Sequence, residues 1–222
     1  KIIAHDFKNP LSGILGLSEL LKEKIVSMNA ENINIYLQNI VLASNRLATQ
    51  MDDVLDWAQS QMNDLKTNPQ EINPEIIINN VLSLLSVNYS QKNISIVTQY
   101  NYQTNVLVDQ RMATTFIRNI IINSIKFTPR NGKISISVFE FENGIEINIV
   151  DTGIGMSSET LDKLFRSSFN PSKYGTENEK GMGLGLQISK SFIEKNNGSL
   201  SIKSREGEGS VFTILLPKGT SP

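Results

Sequence analysis

The 222-residue chain has no cysteine, one histidine and one tryptophan. Without cysteine there is no disulfide, no thiol nucleophile and no cysteine-ligated metal. A single imidazole excludes a multi-histidine metal centre, so if His5 does chemistry it does so alone, as nucleophile or base. An excess of charge of one sign is also missing. Lys and Arg number 21 against 22 Asp and Glu, a net charge of −1, and the pI is near 6.0, which argues against a general nucleic-acid binder. No apolar run is long enough to span a membrane and no signal peptide is evident, so this segment is expected to make no membrane contact and to work in the cytoplasm. The chain opens directly on a motif at Lys1. It is therefore expected to be a piece of a longer protein, and the missing anchors say little about a parent that a membrane segment elsewhere could anchor. Hydrophobic content of 39% and charged content of 19% describe an ordinary soluble domain. There is no internal repeat and no low-complexity tract.

The histidine lies in the run His5-Asp6-Phe7-Lys8-Asn9-Pro10-Leu11. On a helix, Asn9 shares the face of His5. Pro10 lacks an N–H and crowds the carbonyl of Asp6, so the helix is expected to bend or loosen there. Asp6 could accept a proton from one ring nitrogen and leave the other with its lone pair. Taken by itself the run reads equally well as a surface histidine near a helix end.

Residues 1–65 carry helical periodicity. One stripe runs through Ile3, Phe7, Leu11, Ile14, Leu21, Ile25 and Met28, with Ser18 interrupting. A second runs through Ile33, Leu37, Ile40, Leu47, Met51, Val54 and Ala58, with Ser44 in its polar slot. Asn29 is a candidate cap for the second helix. Two helices joined by a short turn form an antiparallel hairpin. One hairpin cannot bury so broad an apolar face, whereas two hairpins from two chains can, as a four-helix bundle. This half is therefore read as a dimerisation module, the alternative being a hairpin docked on the second half of its own chain. Residues 66–72, with Pro69 among polar neighbours, are the expected linker.

From residue 73 the periods mix. Helical patterns cover 75–90, 109–127 and 183–196. Strand patterns cover 94–99, 105–108, 134–142, 145–150, 199–204 and 210–216, with hairpin signals at Asn143-Gly144 and around Gly207. The prediction is an α/β sandwich, a mostly antiparallel sheet with helices on one face, so that the whole chain is α+β.

Three groups of residues in this half could carry chemistry. Asn119, Asn123 and Lys126 fall on one line of a helix otherwise rich in isoleucine. Amide oxygens and an ammonium in line suit a magnesium–phosphate group, against the alternative of a solvated face. Asp151-Thr152-Gly153-Ile154-Gly155-Met156 follows a strand. Its glycines allow a tight turn close to a ligand, and its carboxylate could accept a hydrogen bond from an amino group such as that of adenine. Gly181-Met182-Gly183-Leu184-Gly185-Leu186 leads into a helix, whose N-terminus is a ready anion site. The polar stretch before it could act as a lid, with Lys173 or Lys180 reaching phosphates. No G-K-[ST] follows the glycines, which excludes a Walker loop. No strand leads into them and the sheet does not read as parallel, which disfavours a Rossmann turn.

The joint order of these pieces, with Leu164-Phe165 and Phe169 between the last two, resembles the catalytic core of bacterial sensor histidine kinases of two-component signalling over nearly the whole chain. The first half is similar to the dimerisation and histidine phosphotransfer domain. The second is similar to the ATP-binding domain of the gyrase, chaperone, histidine kinase and MutL superfamily. The resemblance implies that His5 is the phosphoacceptor and Asp6 its general base. It implies that Asn123 ligates magnesium with Asn119 beside it, that Lys126 meets the phosphates, and that Asp151 binds the adenine amino group. Gly153, Gly155, Lys180, Gly181, Gly183, Leu184, Gly185 and Leu186 would shape the nucleotide pocket and lid hinge, and Phe165 and Phe169 fit the family's phenylalanine box. The implied cofactors are ATP and Mg2+. The implied partners are a second copy of the chain, a response-regulator receiver domain, and a sensor domain outside this segment; no nucleic acid is implied.

Two departures bear on activity. Family members commonly have Glu-Leu-Arg-Thr-Pro after the histidine, and here Asp6-Phe7-Lys8-Asn9-Pro10 keeps the carboxylate one methylene shorter. Asn9 could still orient a water, so response-regulator phosphatase action stands beside kinase action. The superfamily's ATPases place a glutamate, the base for water, where Asn119 stands, and an amide takes no proton. That favours transfer to His5 over hydrolysis. Activity is then expected to fall below roughly pH 6.5 as the imidazole protonates. The rival readings are a degenerate kinase acting as a dimeric signalling scaffold, which would fail to bind ATP, and a superfamily ATPase, which would release phosphate without forming a phosphoprotein.

Overall fold

The computed structural model describes residues 2–62, 66–141, 144–166, 174–177, 179 and 183–219, without the side chains of residues 2–6, 46, 53, 165 and 166. The chain divides into two compact units, Lys1–Ala58 and Gln59–Pro222.

The first unit is helical. Helix α1 spans Ile2–Lys24 and α2 spans Ala30–Gln61, with a single 3-10 turn, Ile25–Ser27, after α1. Helix α1 continues through Pro10, although proline supplies no N–H to the Asp6 carbonyl. Asn29 caps α2 as expected, its Oδ1 accepting from the Asn32 N–H at 2.8 Å. The serines that interrupt the two apolar stripes bond inward to their own helices. Ser18 Oγ donates to Ile14 O at 2.7 Å and Ser44 Oγ to Ile40 O at 2.8 Å, so neither needs an outside partner. The stripes are only partly covered: Leu21 is buried and Ile14, Ile33, Ile40, Leu47 and Val54 are half-buried, while Leu11, Leu37 and Met51, and beside them Leu15, Val41 and Leu55, are about half exposed.

The second unit is the expected sandwich. Strands β2 (Ser95–Asn101), β4 (Lys133–Phe141), β5 (Gly144–Asp151), β6 (Ser199–Arg205) and β7 (Gly209–Pro217) form one sheet in the order β2-β4-β5-β7-β6. Only the β2–β4 pair is parallel. Alternation decides which side faces the core. Ile134, Ile136 and Val138 on β4, Ile145, Ile147 and Ile149 on β5, and Phe212, Ile214 and Leu216 on β7 are buried, each contributing about 1.5–3 kcal/mol. Helix α3 (Pro74–Leu84), α5 (Gln110–Phe127) and α7 (Gly185–Lys195) supply the matching apolar faces, including Ile78, Phe116, Ile120 and Phe192.

Several elements differ from the pattern read in the sequence. The segment 66–72, expected to be linker, contributes β1 (Pro69–Ile72), which pairs antiparallel with β3 (Val106–Asp109) in a separate two-stranded sheet. Four residues with one β-branched side chain give no period to read, and the strand forms because β3 supplies a ladder. The unit boundary at 58/59 also falls before the expected 65. Residues 59–62 count with the second unit, where Ser191 Oγ donates to Ser60 O at 3.0 Å and Lys195 Nζ to Met62 O at 2.8 Å. The single helix expected over 75–90 is two, α3 and α4 (Ser86–Gln91), because Leu85 between them leaves helical geometry at φ −93°, ψ 6°. Helix α6 (Ser158–Arg166) was not expected. In the hairpin at 141–144, Phe141 already pairs with Gly144, so Gly144 opens β5 rather than occupying the turn. Among the described residues no helix is long and apolar enough to cross a membrane.

Candidate functional site

Helix α5 is fixed at its start by Asp109, whose Oδ1 accepts from the Met112 N–H at 3.1 Å. Its buried face runs through Met112, Phe116, Ile120 and Ile121, which aims the line Asn119–Asn123–Lys126 along the edge of that face. Asn119 is buried and donates from Nδ2 to Gly185 O, at the start of α7, at 3.3 Å. A Cβ at Gly185 would lie 3.4 Å from Asn119 Cγ, an ordinary contact, so the meeting of the two helices does not itself require glycine. Asn123 and Lys126 are half-buried. The Lys126 ammonium sits 4.8 Å from the centre of the Phe127 ring. Burial pushes its pKa down and the Glu179 carboxylate pushes it up, with burial prevailing.

Asp151 continues the inward alternation Ile145, Ile147, Ile149, which is why a carboxylate ends up on the helix-covered face. It is 4% exposed. Oδ1 accepts from the Gly153 N–H at 2.9 Å and the Ser210 N–H at 3.2 Å, and Oδ2 from Ser124 Oγ at 3.3 Å. Burial raises its pKa, these three bonds lower it, and burial wins, so the group titrates above the ordinary carboxylate range. Its two oxygens offer about four acceptor positions; the protein fills three.

The turn after Asp151 is held against α5 by the Ile154 N–H on Phe127 O at 3.0 Å. A Cβ at Gly153 would lie 2.7 Å from that same carbonyl oxygen. Gly155 has φ +64°, and a Cβ there would collide with the carbonyl of Arg205. Both glycines are therefore required by close approach, and at Gly155 also by a left-handed backbone. On the other side, Gly183 has φ +76°, Leu184 is buried and Leu186 is half-buried. Among the described residues no side chain caps the start of α7, and a helix N-terminus carries N–H groups that an anion could meet.

The structure thus ties Asn119 of α5 to Gly185 at the start of α7, and Asp151 and the Gly153 turn to Ser124 and Phe127 of α5, the helix that also carries Asn123 and Lys126; Gly155 packs instead against Arg205 and Gly209. His5, Asp6 and Asn9 lie on α1 in the other unit; Asn9 is exposed, and the side chains of His5 and Asp6 are outside the described part. Phe169, Lys173, Lys180 and Gly181, and the Phe165 side chain, are likewise outside it. Sequence reading missed Ser124 and Ser210. Ser210 could have been found, since the β5–β7 register sets it opposite Asp151.

Two family models match the chain. One, for the His Kinase A (phospho-acceptor) domain, covers residues 1–63. The other, for the histidine kinase-, DNA gyrase B- and HSP90-like ATPases, covers residues 108–220. The Mycobacterium tuberculosis sensor-like histidine kinase SenX3 is 26% identical over 215 residues, which span 97% of this chain and 52% of that protein. The Caulobacter vibrioides histidine protein kinase DivJ is 24% identical over 221 residues, 99% of this chain and 37% of that one. The chain thus spans about half the length of SenX3 and less of DivJ. Among solved structures, the catalytic domain of histidine kinase ThkA superposes with a TM-score of 0.61 at 27% identity, covering 68% of this chain and 97% of that one. ThkA in complex with response regulator TrrA gives 0.73 at 23% identity over 98% of this chain and 60% of that one, a likeness of fold.

Proposed function

Since the chain belongs to the histidine kinases, carrying both their phospho-acceptor domain and their ATPase-like domain, we propose that it is the catalytic core of a sensor kinase. It transfers the γ-phosphoryl group of ATP to His5 and passes it on to an aspartate of a response-regulator receiver domain. The observation that carries this reading is Asp151: a buried carboxylate with three protein donors and one acceptor position left. That position suits the adenine amino group. The residues of the Asn119–Asn123–Lys126 line and the N-terminus of α7 would then meet the triphosphate.

Magnesium fits this site as a companion of the nucleotide. Among the described residues no group of three or more His, Cys, Asp or Glu could hold a metal, so the ion would take its oxygens from phosphate and from the Asn123 amide, with Asn119 beside it. When bound it would offset phosphate charge. Lys126 would add a cation to the phosphates. Asn119, its amide held by Gly185 O, positions but cannot deprotonate a water, which favours transfer over hydrolysis.

Phosphoryl transfer itself is mostly positioning. A nitrogen of neutral His5 forms the N–P bond as the bond to the ADP oxygen breaks, and Asp6 takes the proton from the other nitrogen. Asn9, exposed on α1, could later orient a water for receiver dephosphorylation. Residues 1–65 would serve as the phosphotransfer domain and 73–222 as the ATP-binding domain, the segment between them adding β1 to the second unit through β3. The half-exposed stripe of Leu11, Leu15, Leu37, Val41, Met51 and Leu55 is a larger apolar face than a monomer leaves to water. It would close against a second copy as a four-helix bundle. The segment works in the cytoplasm, where ATP is, whatever anchors the parent.

The test is to mix the chain with ATP and magnesium and follow ADP, free phosphate and phosphoprotein together. Matched ADP and phosphoprotein without free phosphate support the kinase. Continuous phosphate release with no phosphoprotein would make the chain an ATPase.

A further inference from the structure

At one end of the main sheet, on the face that the helices cover, three polar side chains share one row. Asp151 on β5 is paired with Ser210 on β7, and Ser210 with Ser204 on β6. Alternation puts Ser204 on the same side as Leu200 and Ile202, just as it puts Asp151 beside Ile149. Ser204 is half-buried and Ser210 is buried. The Ser204 hydroxyl spends all of its bonding capacity inside the protein. Its Oγ donates to Gly209 O at 2.8 Å, accepts from the Met156 N–H at 2.9 Å and lies 3.0 Å from Ser210 Oγ. A serine hydroxyl has one proton and two acceptor positions. With its proton on Gly209 O, Ser210 is the donor of the hydroxyl pair.

These three partners belong to the two segments that hold Asp151. The carboxylate is fixed by the N–H groups of Gly153 and Ser210. Gly153 opens the turn that runs to Met156, and Gly209 and Ser210 open β7. The backbone interlocks the middle of that turn with the end of the β6–β7 hairpin. The Gly207 N–H donates to Ile154 O at 2.8 Å. A Cβ at Gly155 would collide with Arg205 O, and one at Gly209 with Asp151 O. The far end of the turn, the Met156 N–H, is held by the Ser204 side chain. Ser204, like Asp151 itself, therefore bonds both segments at once.

We propose that Ser204 is a positioning residue for the purine base: it pins the turn after β5 to the start of β7 and so holds in place the two segments whose N–H groups aim the Asp151 carboxylate. This rests on the reading of Asp151 as the acceptor for the adenine amino group. Ser204 acts through Asp151 and not on the nucleotide itself. Its loss weakens the part of ATP affinity that comes from the amino group and spares the phosphate contacts, so it acts on nucleotide affinity more than on the transfer step.

The test compares the whole chain with Ser204→Ala and with Ser204→Cys, whose thiol bonds only weakly. Each is titrated with ATP and with purine riboside triphosphate, which is ATP without the amino group, and amide hydrogen exchange is followed without nucleotide. Ser204→Ala should bind ATP about three- to tenfold more weakly, the scale of one net hydrogen bond, and the analogue less than about twofold more weakly. The preference for ATP over the analogue should shrink accordingly. In autophosphorylation, KM for ATP should rise by the same factor while kcat changes less than about twofold. The Met156 amide should exchange faster. Equal weakening of both nucleotides overturns the proposal, because general damage to the fold does not single out the amino group. Wild-type affinity for ATP in a folded Ser204→Ala, or Met156 exchange no faster than in wild type, overturns it as well. Should Ser204→Ala not fold, Ser204→Cys decides by the same comparison. A wild-type chain that binds both nucleotides equally would instead overturn the reading of Asp151, a result separate from any difference among the variants.

Discussion

Asp151 and Ser210 face each other across the β5–β7 ladder, and the Ser210 N–H donates to Asp151 Oδ1 at 3.2 Å. Together with the Gly153 N–H this fixes one carboxylate oxygen and leaves the other to Ser124 and a ligand. In Asp151→Asn the amide oxygen can keep both N–H donors while Nδ2 turns to Ser124 Oγ, which can accept. The fold should survive, and ATP affinity should fall by about 10- to 150-fold, the range for a hydrogen bond to a charged group. Isothermal titration checks this.

The same substitution has a pH signature. Asp151 is held above its ordinary value of 3.8 by burial, against the pull of its three hydrogen bonds. A carboxyl with a raised folded-state pKa binds protons more tightly in the folded chain. Its contribution to stability is complete below the ordinary value and is lost as pH rises through the raised one. Asp151→Asn carries no such loss. Its denaturation midpoint relative to wild type should therefore rise as pH increases from 3.8, and a difference that stays constant with pH would contradict the burial argument.

Asn119→Asp replaces one donor to Gly185 O, at 3.3 Å, with an acceptor. Gly185 O keeps Ser189 Oγ as a donor at 2.7 Å, but the new carboxylate is a buried acceptor facing a carbonyl instead of a donor, which costs about 1–3 kcal/mol, and its charge would repel phosphates. Urea unfolding should show the loss of stability, and ATP binding should weaken further than in a neutral Asn119→Ala control.

Gly155 and Gly207 both have positive φ, +64° and +81°, but their surroundings differ. A Cβ at 155 collides with the Arg205 carbonyl, whereas at 207 nothing lies within 4 Å. Gly207→Ala should cost only the left-handed backbone penalty, about 1–2 kcal/mol. Gly155→Ala should cost clearly more and should also impair ATP binding. Paired thermal melts separate the two.

The open stripe on α1 and α2 predicts a dimer that one charge can disrupt. Leu37 is 49% exposed in the single chain. Leu37→Glu should shift light-scattering mass from dimer to monomer while ATP affinity of the second unit stays at the wild-type value.

Where local pattern reports local geometry, the sequence was informative. The 119–123–126 spacing gave one helix line, and the alternation Ile145, Ile147, Ile149 carried Asp151 inward. Strand β1 was hidden because its order comes from β3, whereas α6 was legible, Leu161, Leu164 and Phe165 falling at helical three- and four-residue steps. Ser204 was hidden for a different reason. Its partners Gly209, Ser210 and Met156 lie 5, 6 and 48 residues away, so no local pattern marks it. Ser124 became visible only once α5 was laid against β5.

The central claim is that the phosphoryl group ends on His5. Incubation of wild type and His5→Gln with γ-labelled ATP and magnesium tests it most directly. The account predicts acid-labile, alkali-stable label on wild type and none on His5→Gln, although both bind ATP. Equal labelling of the two proteins, or label stable to acid, would contradict it.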